Sequence, residues 1–456
     1  MNLKNKNRIN NSIFICAVFF MAFGSAFQGG FSFIGFLGLF LGAIASFKNP
    51  LFGIIVILCN YYWPIIQFGS KYSSYPIAII LVIFTMLSVL INYKKTALFY
   101  KKNNIIYFFL VLICIYALCS LFYTPNITNG IRYFNWAFRG FSIFLLVIIV
   151  INEATKLSDF LKIYSIIGFL TFVICLIQYY TGLSHNWILI KHNSGLLDMY
   201  ERLVFWGTEP NYLSLLYLPP LISTTICKKQ SREFWEKTFW SIVQIGICIG
   251  ILGTYSRAGM ICLIFILICS CFIDKKNIII SFLFLLIIPI YIYFYQHALL
   301  IRFESIYKSV TEEGLEGRTY FWMKAIDIFM SNPKNIFVGI GLGGYVTRVG
   351  DAVHNTLLAI LVDLGLVGLF IYYSPIILII SMSISRMIKN GKNITRSFFL
   401  LGFFASFLGI LSISDIGSIP VFISLAILFC YESIYPESLS MDLLKMRNNN
   451  SGLITN

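Results

Sequence analysis

The sequence predicts an all-α, polytopic integral membrane protein of about 12–14 transmembrane helices, with one long extracytoplasmic loop containing short helices. Three observations carry that fold class. Of 456 residues, 58% are hydrophobic and only 12% are charged, too few to clothe a soluble protein of this size in polar surface. Fourteen apolar stretches of about 17 to 22 residues fill most of the chain, and about 20 residues at ~1.5 Å each cross a ~30 Å hydrocarbon layer. Runs such as Ile278 to Ile290 lack any alternation at every second residue, which excludes a β-barrel.

In chain order the spans are expected at about 11–28, 30–47, 51–68, 75–92, 104–123, 138–152, 160–180, 209–227, 238–254, 257–273, 277–296, 354–376, 397–414 and 417–434. The start of the chain, Lys4 to Arg8 before an apolar run from Ile13, resembles a signal peptide. A second span follows directly and Gly24-Ser25-Ala26 is a weak cleavage site, so this segment is expected to stay as the first span. Residues 1–436 form one transmembrane helical domain, 297–353 a large extracytoplasmic loop within it, and 437–456 a polar cytoplasmic tail.

Charge sets the orientation. The formal net charge is +15. Alternate gaps between spans hold 22 lysines and arginines on one side and 12 on the other, six of the latter in the long loop or at Arg302. Short loops decide topology, so the first side is cytoplasmic and both termini lie there. The excess of base then serves topology and anionic headgroups rather than nucleic acid. All 11 cysteines fall within or at the ends of apolar spans, so they read as small core residues, with neither a disulfide framework nor a zinc site.

Two outer segments exceed turns. Thr181 to Thr208 interleaves His185, His192, Asp198, Glu201 and Arg202 with Trp187, Leu196, Leu197 and Trp206, which suits an interfacial hairpin or a short amphipathic helix. In the long loop a helix is expected over Arg318 to Met330, with Phe321, Trp322, Ala325, Ile326, Phe329 and Met330 at helical spacing. Asn332-Pro333 should end it, and Gly339 to Gly344 should form a compact turn.

Four outer motifs bear chemistry. Arg257, in Thr254-Tyr255-Ser256-Arg257-Ala258-Gly259, either snorkels at a span boundary or points into an outward cavity to bind an anion. Arg318 opens the loop helix, where it opposes the helix dipole, an odd choice for stability alone. His354 stands at the mouth of a span with Asn355; it is an interfacial polar residue or a group that accepts a proton from a hydroxyl. Asp363, about 13 Å deeper along that helix, is expected to partner a buried cation or hydroxyl. Glu209 and Asn211 flank Pro210 at a span start, where Thr208 or Glu209 caps the helix or touches a sugar or Arg257. Arg302 and Arg348 are further loop cations. The chain has no Asp-x-Asp pair, P-loop, His-Glu-x-x-His or Gly-x-Ser-x-Gly.

Glu209-Pro210-Asn211, Ser256-Arg257-Ala258-Gly259, Gly317-Arg318 with Trp322, Asn332-Pro333 with Gly339 to Gly343, and His354-Asn355 with Asp363, Gly365 and Gly368 occur in that order. Over about 205 to 370 the chain resembles the bacterial O-antigen ligase and O-antigen polymerase superfamily. The resemblance implies a metal-independent membrane glycosyltransferase, without cofactor, whose donor is a glycan on undecaprenyl pyrophosphate. It implies that Arg257 and Arg318 hold the pyrophosphate and that His354 serves the acceptor hydroxyl. Glu209, Asn211, Arg302, Arg348, Asn355 and Asp363 complete the expected substrate-binding set. The product would be O-antigen or capsular polysaccharide, made at the outer face of the cytoplasmic membrane, with membrane lipids and a chain-length regulator as partners. A ligase onto lipid A-core is the near alternative. A lipid-linked oligosaccharide flippase is the alternative of another class, and it should carry charges within spans, repeat-related halves and short loops.

Overall fold

The computed structural model describes residues 3–26, 32–63, 75–91, 104–182, 187–191, 197–204, 209–275 and 318–435. The expected span at 277–296, Arg302 and the tail from 437 lie outside the described residues, as do His185 and His192. The described chain is helical apart from one small hairpin. Its helices are α1 (Leu3–Ala26), α2 (Ser32–Lys48), α3 (Pro50–Tyr62), α4 (Tyr75–Ile91), α5 (Asn104–Ser120), α6 (Ile127–Val150) and α7 (Ala154–Tyr180). Next come α8 (Pro210–Leu216), α9 (Leu218–Gln230), α10 (Phe234–Gly253) and α11 (Arg257–Ile273). The loop supplies α12 (Arg318–Met330), α13 (Pro333–Val338) and α14 (Gly344–Val349), and the chain returns through α15 (Thr356–Asn390), α16 (Ile394–Ile410) and α17 (Ile419–Ile434). Between α7 and α8, β1 (Trp187–Lys191) pairs antiparallel with β2 (Leu197–Glu201), Trp187 opposite Glu201. Of the two forms expected for that segment, it takes the hairpin.

Most spans start and stop within a few residues of the apolar runs. Three differ for identifiable reasons. Helix α6 begins eleven residues before the expected 138, because the Asn126 side chain accepts from Thr128 N and Asn129 N and caps it there. Arg132 and Arg139 therefore sit on a helix rather than in a gap. The span from Glu209 divides at Tyr217 into α8 and α9, where Pro219 and Pro220 supply no backbone N–H. Helix α15 runs on to Asn390 and is broken at Gly365, whose φ of 67° and ψ of −172° are not helical.

Close packing uses small residues where helices cross. Gly38 of α2 abuts the Ala17 and Met21 backbones of α1, Gly42 abuts Val56 of α3, and Gly53 abuts Thr85 of α4. Without a hydrophobic difference between lipid and side chain, such close approach is what joins helices in a bilayer. The C-terminal core packs α6 against α17, α7 against α9, and α16 against α11 and α17. Among described helices, α6, α7 and α15 are each long and apolar enough to cross a membrane. Large apolar side chains such as Phe108, Phe239, Phe272 and Phe370 remain exposed on the outer faces of the helices, as a lipid-facing surface requires.

The two ends of the bundle differ in kind. At one, the buried Glu432 carboxylate receives Arg396 Nε at 2.6 Å, Arg386 Nη1 at 2.8 Å and the Ser383 hydroxyl at 2.8 Å. This network ties α15, α16 and α17 together near the Lys- and Arg-rich turn that contains Lys389 and Lys392. At the other end the loop helices α12 to α14 close over the first turns of α15.

Candidate functional site

The site is built by docking the loop onto the start of α15. Helix α12 buries Ala325 completely and half-buries Phe321, Trp322, Ile328 and Phe329 against a small core of Ile340, Tyr345, Val353, Ala359 and Val362. Ile326 and Met330 stay exposed. Asn332 ends α12 and starts α13, its Oδ1 accepting from Asn335 N at 2.9 Å with Pro333 in the first turn. The expected glycine turn follows. Gly339 has φ 75° and Gly365 has φ 67°. A Cβ on Gly339 would strike the Asp363 carbonyl, and one on Gly365 would strike that of Phe337, so the two backbones cross with no room for side chains.

Asp363 locks this crossing. Its Oδ2 accepts from Gly343 N at 2.8 Å and its Oδ1 from Tyr345 N at 3.0 Å. Its own carbonyl accepts from Gly341 N at 2.9 Å, and the Val362 carbonyl accepts from Ile340 N at 3.0 Å. The carboxylate thus serves backbone N–H groups, not the cation or hydroxyl expected from sequence. Breaking α15 at Gly365 frees carbonyls, and the Tyr116 hydroxyl donates to that of Leu364 at 3.0 Å. Tyr123 donates to Val338 O at 2.8 Å and Thr124 to Leu342 O at 2.8 Å, which fastens the turn to the end of α5.

Helix α12 then presents Arg318 to His354. Trp322 Nε1 donates to Val353 O at 3.1 Å, the Phe321 ring lies 6.2 Å from the imidazole, and Tyr345 Oη donates to Phe321 O at 2.8 Å. Arg318 is three and four residues before Phe321 and Trp322, so it shares their helix face. His354 itself has φ 54°, a left-handed backbone that is uncommon outside glycine. Its side chain is 39% exposed, and Nε2 stands 3.9 Å from Asp351 Oδ1, beyond hydrogen-bond reach. Burial and then the Arg318 charge push the imidazole below its ordinary pKa, while Asp351 and Glu209 oppose that shift. One imidazole therefore feels Arg318, Asp351 and Glu209 together.

Glu209 reaches this end of the bundle on α8. It is the N-cap: Oε2 accepts from Tyr212 N and Oε1 from Asn211 Nδ2, each at 2.6 Å. Helix α8 packs on the first turn of α11, with Ser214 against Gly259. Arg257 opens α11 there, behind the Ser256 cap, whose Oγ accepts from Gly259 N at 3.2 Å. The turn before it is tight, with Tyr255 at φ 52°, and Arg202 Nε holds the Thr254 carbonyl at 2.7 Å. Asn355 caps α15, its Oδ1 accepting from Leu358 N at 3.1 Å. Arg348 is exposed in the last turn of α14. Among the described residues, no three His, Cys, Asp or Glu side chains are grouped to hold a metal ion.

Sequence reasoning missed Asp351, Trp322 Nε1 and the connection after α16. Thr356 Oγ1 donates to Ile413 O at 2.8 Å and accepts from Asp415 N at 3.0 Å, binding the His354 segment to that connection. The buried Asp415 carboxyl lies beside Tyr212 and the Arg139 guanidinium. An acid followed three residues later by histidine was visible at Asp351; the contacts of Trp322 and Asp415 have no local signal.

Long apolar helices and a helical loop clasped over one end define a multi-pass membrane protein with a polar, cationic site at that end. Residues 242–373 match the family model described as O-antigen ligase. The matched stretch runs from α10 into α15 and holds Arg257, Arg318, His354 and Asp363. Over that stretch the chain is similar to this family. No curated protein matches the chain.

Proposed function

We propose that this chain is a membrane glycosyltransferase that polymerises undecaprenyl-pyrophosphate-linked oligosaccharide repeat units into O-antigen or capsular polysaccharide. It works at the outer face of the bacterial cytoplasmic membrane, with both termini in the cytoplasm. The observation that carries the reading is Arg318 beside His354, positioned by α12. A neutral imidazole accepts the proton of an acceptor sugar hydroxyl as its oxygen attacks the anomeric carbon. The bond to the lipid pyrophosphate breaks, and that group leaves with the electron pair. Charge grows on its oxygens, where Arg318 and Arg257 stabilise it. Glu209 and Asn211 hold one edge of the sugar site, Asn355 sets the start of α15, and Asp363 positions the loop. Arg302 and Arg348 supply further positive charge for an anionic lipid. The donor arrives activated, so the scheme needs no metal or cofactor. Lipid tails enter between apolar helices, and a chain-length regulator is a natural partner.

A second reading, transfer of finished glycan to lipid A-core, is favoured by the description of the matching family. The chemistry at the site is the same; the acceptor differs. The flippase reading gains nothing from a loop clasped over one end.

Deleting the gene and resolving surface glycan on a gel separates these. Single repeat units on the acceptor mark a lost polymerase, and long chains held on the carrier lipid mark a lost ligase. Arg257→Ala and Arg318→Ala should each lower transfer about 10²-fold at normal protein level, by analogy with lost oxyanion donors. Wild-type glycan from both variants at equal abundance would overturn the site.

A further inference from the structure

Helix α12 has a second apolar face. Ala325 and its half-buried neighbours face the bundle, while Met323, Ile326 and Met330, at i, i+3 and i+7, form an exposed ridge on another side. Tyr320, Lys324 and Asp327 run beside that ridge as a polar flank, all three exposed. Lys324 Nζ stands 5.8 Å from the centroid of the Tyr320 ring. Phe337, on α13, is exposed as well. One apolar face is covered by the bundle; a second needs another apolar neighbour.

The position of α12 and α13 along α15 decides which neighbour. Ala325 shares a small core with Ala359 and Val362, in the first two turns of α15. Helix α13 reaches deeper: a Cβ on Gly365 would strike the Phe337 carbonyl, and Ile340 N donates to Val362 O. Gly365 lies about 13 Å along α15 from Thr356. The stretch between them opens with Leu357 to Val362, all apolar, so it belongs to the span. Just past Gly365, Leu366, Val367 and Phe370 are exposed, and the Phe370 ring stands 6.5 Å from that of Phe109 on α5. On α5 an exposed stripe of Phe108, Val111, Ile115, Leu118 and Phe122 climbs to Tyr123, whose hydroxyl holds the Val338 carbonyl beside Phe337. Lys334 Nζ stands 5.4 Å from the Tyr123 ring centroid. The surface that α5 and α15 turn to lipid therefore continues through Phe337 to the ridge of α12. Lysines set against aromatic rings at its edge lay their stems on apolar surface and keep their ammonium groups among headgroups.

We propose that α12 and α13 form an interfacial element, with the ridge of Met323, Ile326, Met330 and Phe337 seated in lipid at the headgroup boundary. The bilayer then holds the loop from outside, as Asp363 holds it from within. Lipid, rather than a second copy of the chain, is the occupant, because the ridge continues a face that the spans already turn to lipid. One consequence is that Arg318, on the same helix, stands at headgroup depth, where lipid-borne phosphate lies. That consequence rests on the proposed function; the lipid contact does not.

Photochemical cross-linking tests the contact without any activity measurement. The full chain is placed in nanodiscs of phosphatidylcholine, with p-benzoylphenylalanine replacing Ile326, Phe337, Phe370 or Lys324, one at a time. All four side chains are exposed, so each replacement leaves the packing of the bundle intact. After irradiation, mass spectrometry should find phosphatidylcholine adducts at Ile326 and Phe337 as readily as at Phe370, and several-fold fewer at Lys324. Adducts at Phe370 alone would overturn the proposal, because the ridge would then face water. Cross-linked pairs of chains at Ile326, without lipid adducts, would overturn it in favour of a second copy. Adducts at Phe337 but not at Ile326 would confine lipid to α13 and sink the claim for α12. Adducts at Lys324 as frequent as those at Ile326 would show no preferred face, and the ridge would have to be abandoned.

Discussion

His354→Ala should cut glycan transfer by about 10²–10⁴-fold while leaving protein level and donor binding intact, since general-base assistance is worth that much. The side chain is partly exposed and makes no close hydrogen bond among those described, so its removal should not unfold the loop. The pH profile is the sharper test. A base works only when neutral. Burial and Arg318 lower the imidazole pKa from 6.5, so the acid limb of transfer should lie below pH 6.5. The neighbours then move the limb in opposite directions. Arg318→Gln removes a repelling charge, the imidazole binds its proton more readily, and the limb of the residual activity should shift to higher pH. Asp351→Asn and Glu209→Gln each remove an attracting charge, and the limb should shift to lower pH. A transfer rate that keeps its acid limb in His354→Ala would place the base elsewhere.

How much of this could be read beforehand depends on whether the cause is local. The cap at Glu209, the stop at Asn332-Pro333 and the helix over Arg318–Met330 each follow from a few neighbouring residues, and each lies where the sequence predicts. The start of α6 escaped because Arg132 and its polar neighbours lower the apolar signal, although Asn126 is a recognisable cap. Motif order could place Arg318 and His354 in one loop region, but it could not show what joins them. That agent is an indole N–H on a carbonyl 31 residues away. Asp363 shows the same limit from the other side. A carboxylate inside an apolar run signals a partner. Nothing nearby in sequence says that the partner is a backbone turn 18 and 20 residues upstream rather than a cation. Positive φ at Gly339 and Gly365 was likewise invisible, because both follow from two segments crossing in space.

Asp363→Ala should release the loop and, through it, transfer. The side chain is 2% exposed and both oxygens accept backbone N–H groups, so truncation strands two buried donors at once. Each stranded donor costs about 1–3 kcal/mol, and bonds to a charged acceptor lie at the upper end, so a loss of several kcal/mol is expected. The Tyr123 and Thr124 bonds to the turn and the Tyr116 bond to the Leu364 carbonyl at the break of α15 persist, and they keep the damage in the loop rather than in the bundle. Hydrogen exchange should therefore accelerate at the Gly343 and Tyr345 amides, and in α12 behind them, while α16 and α17 remain protected. Transfer should fall because α12 no longer holds Arg318 against His354. Asp363→Asn retains one acceptor oxygen but turns an N–H₂ toward the other donor, so it should lie between wild type and Asp363→Ala in both exchange and transfer. If Asp363→Ala lost transfer with exchange at Gly343 and Tyr345 unchanged, the carboxylate would act on substrate directly, and its place as the lock of the loop would have to be given up.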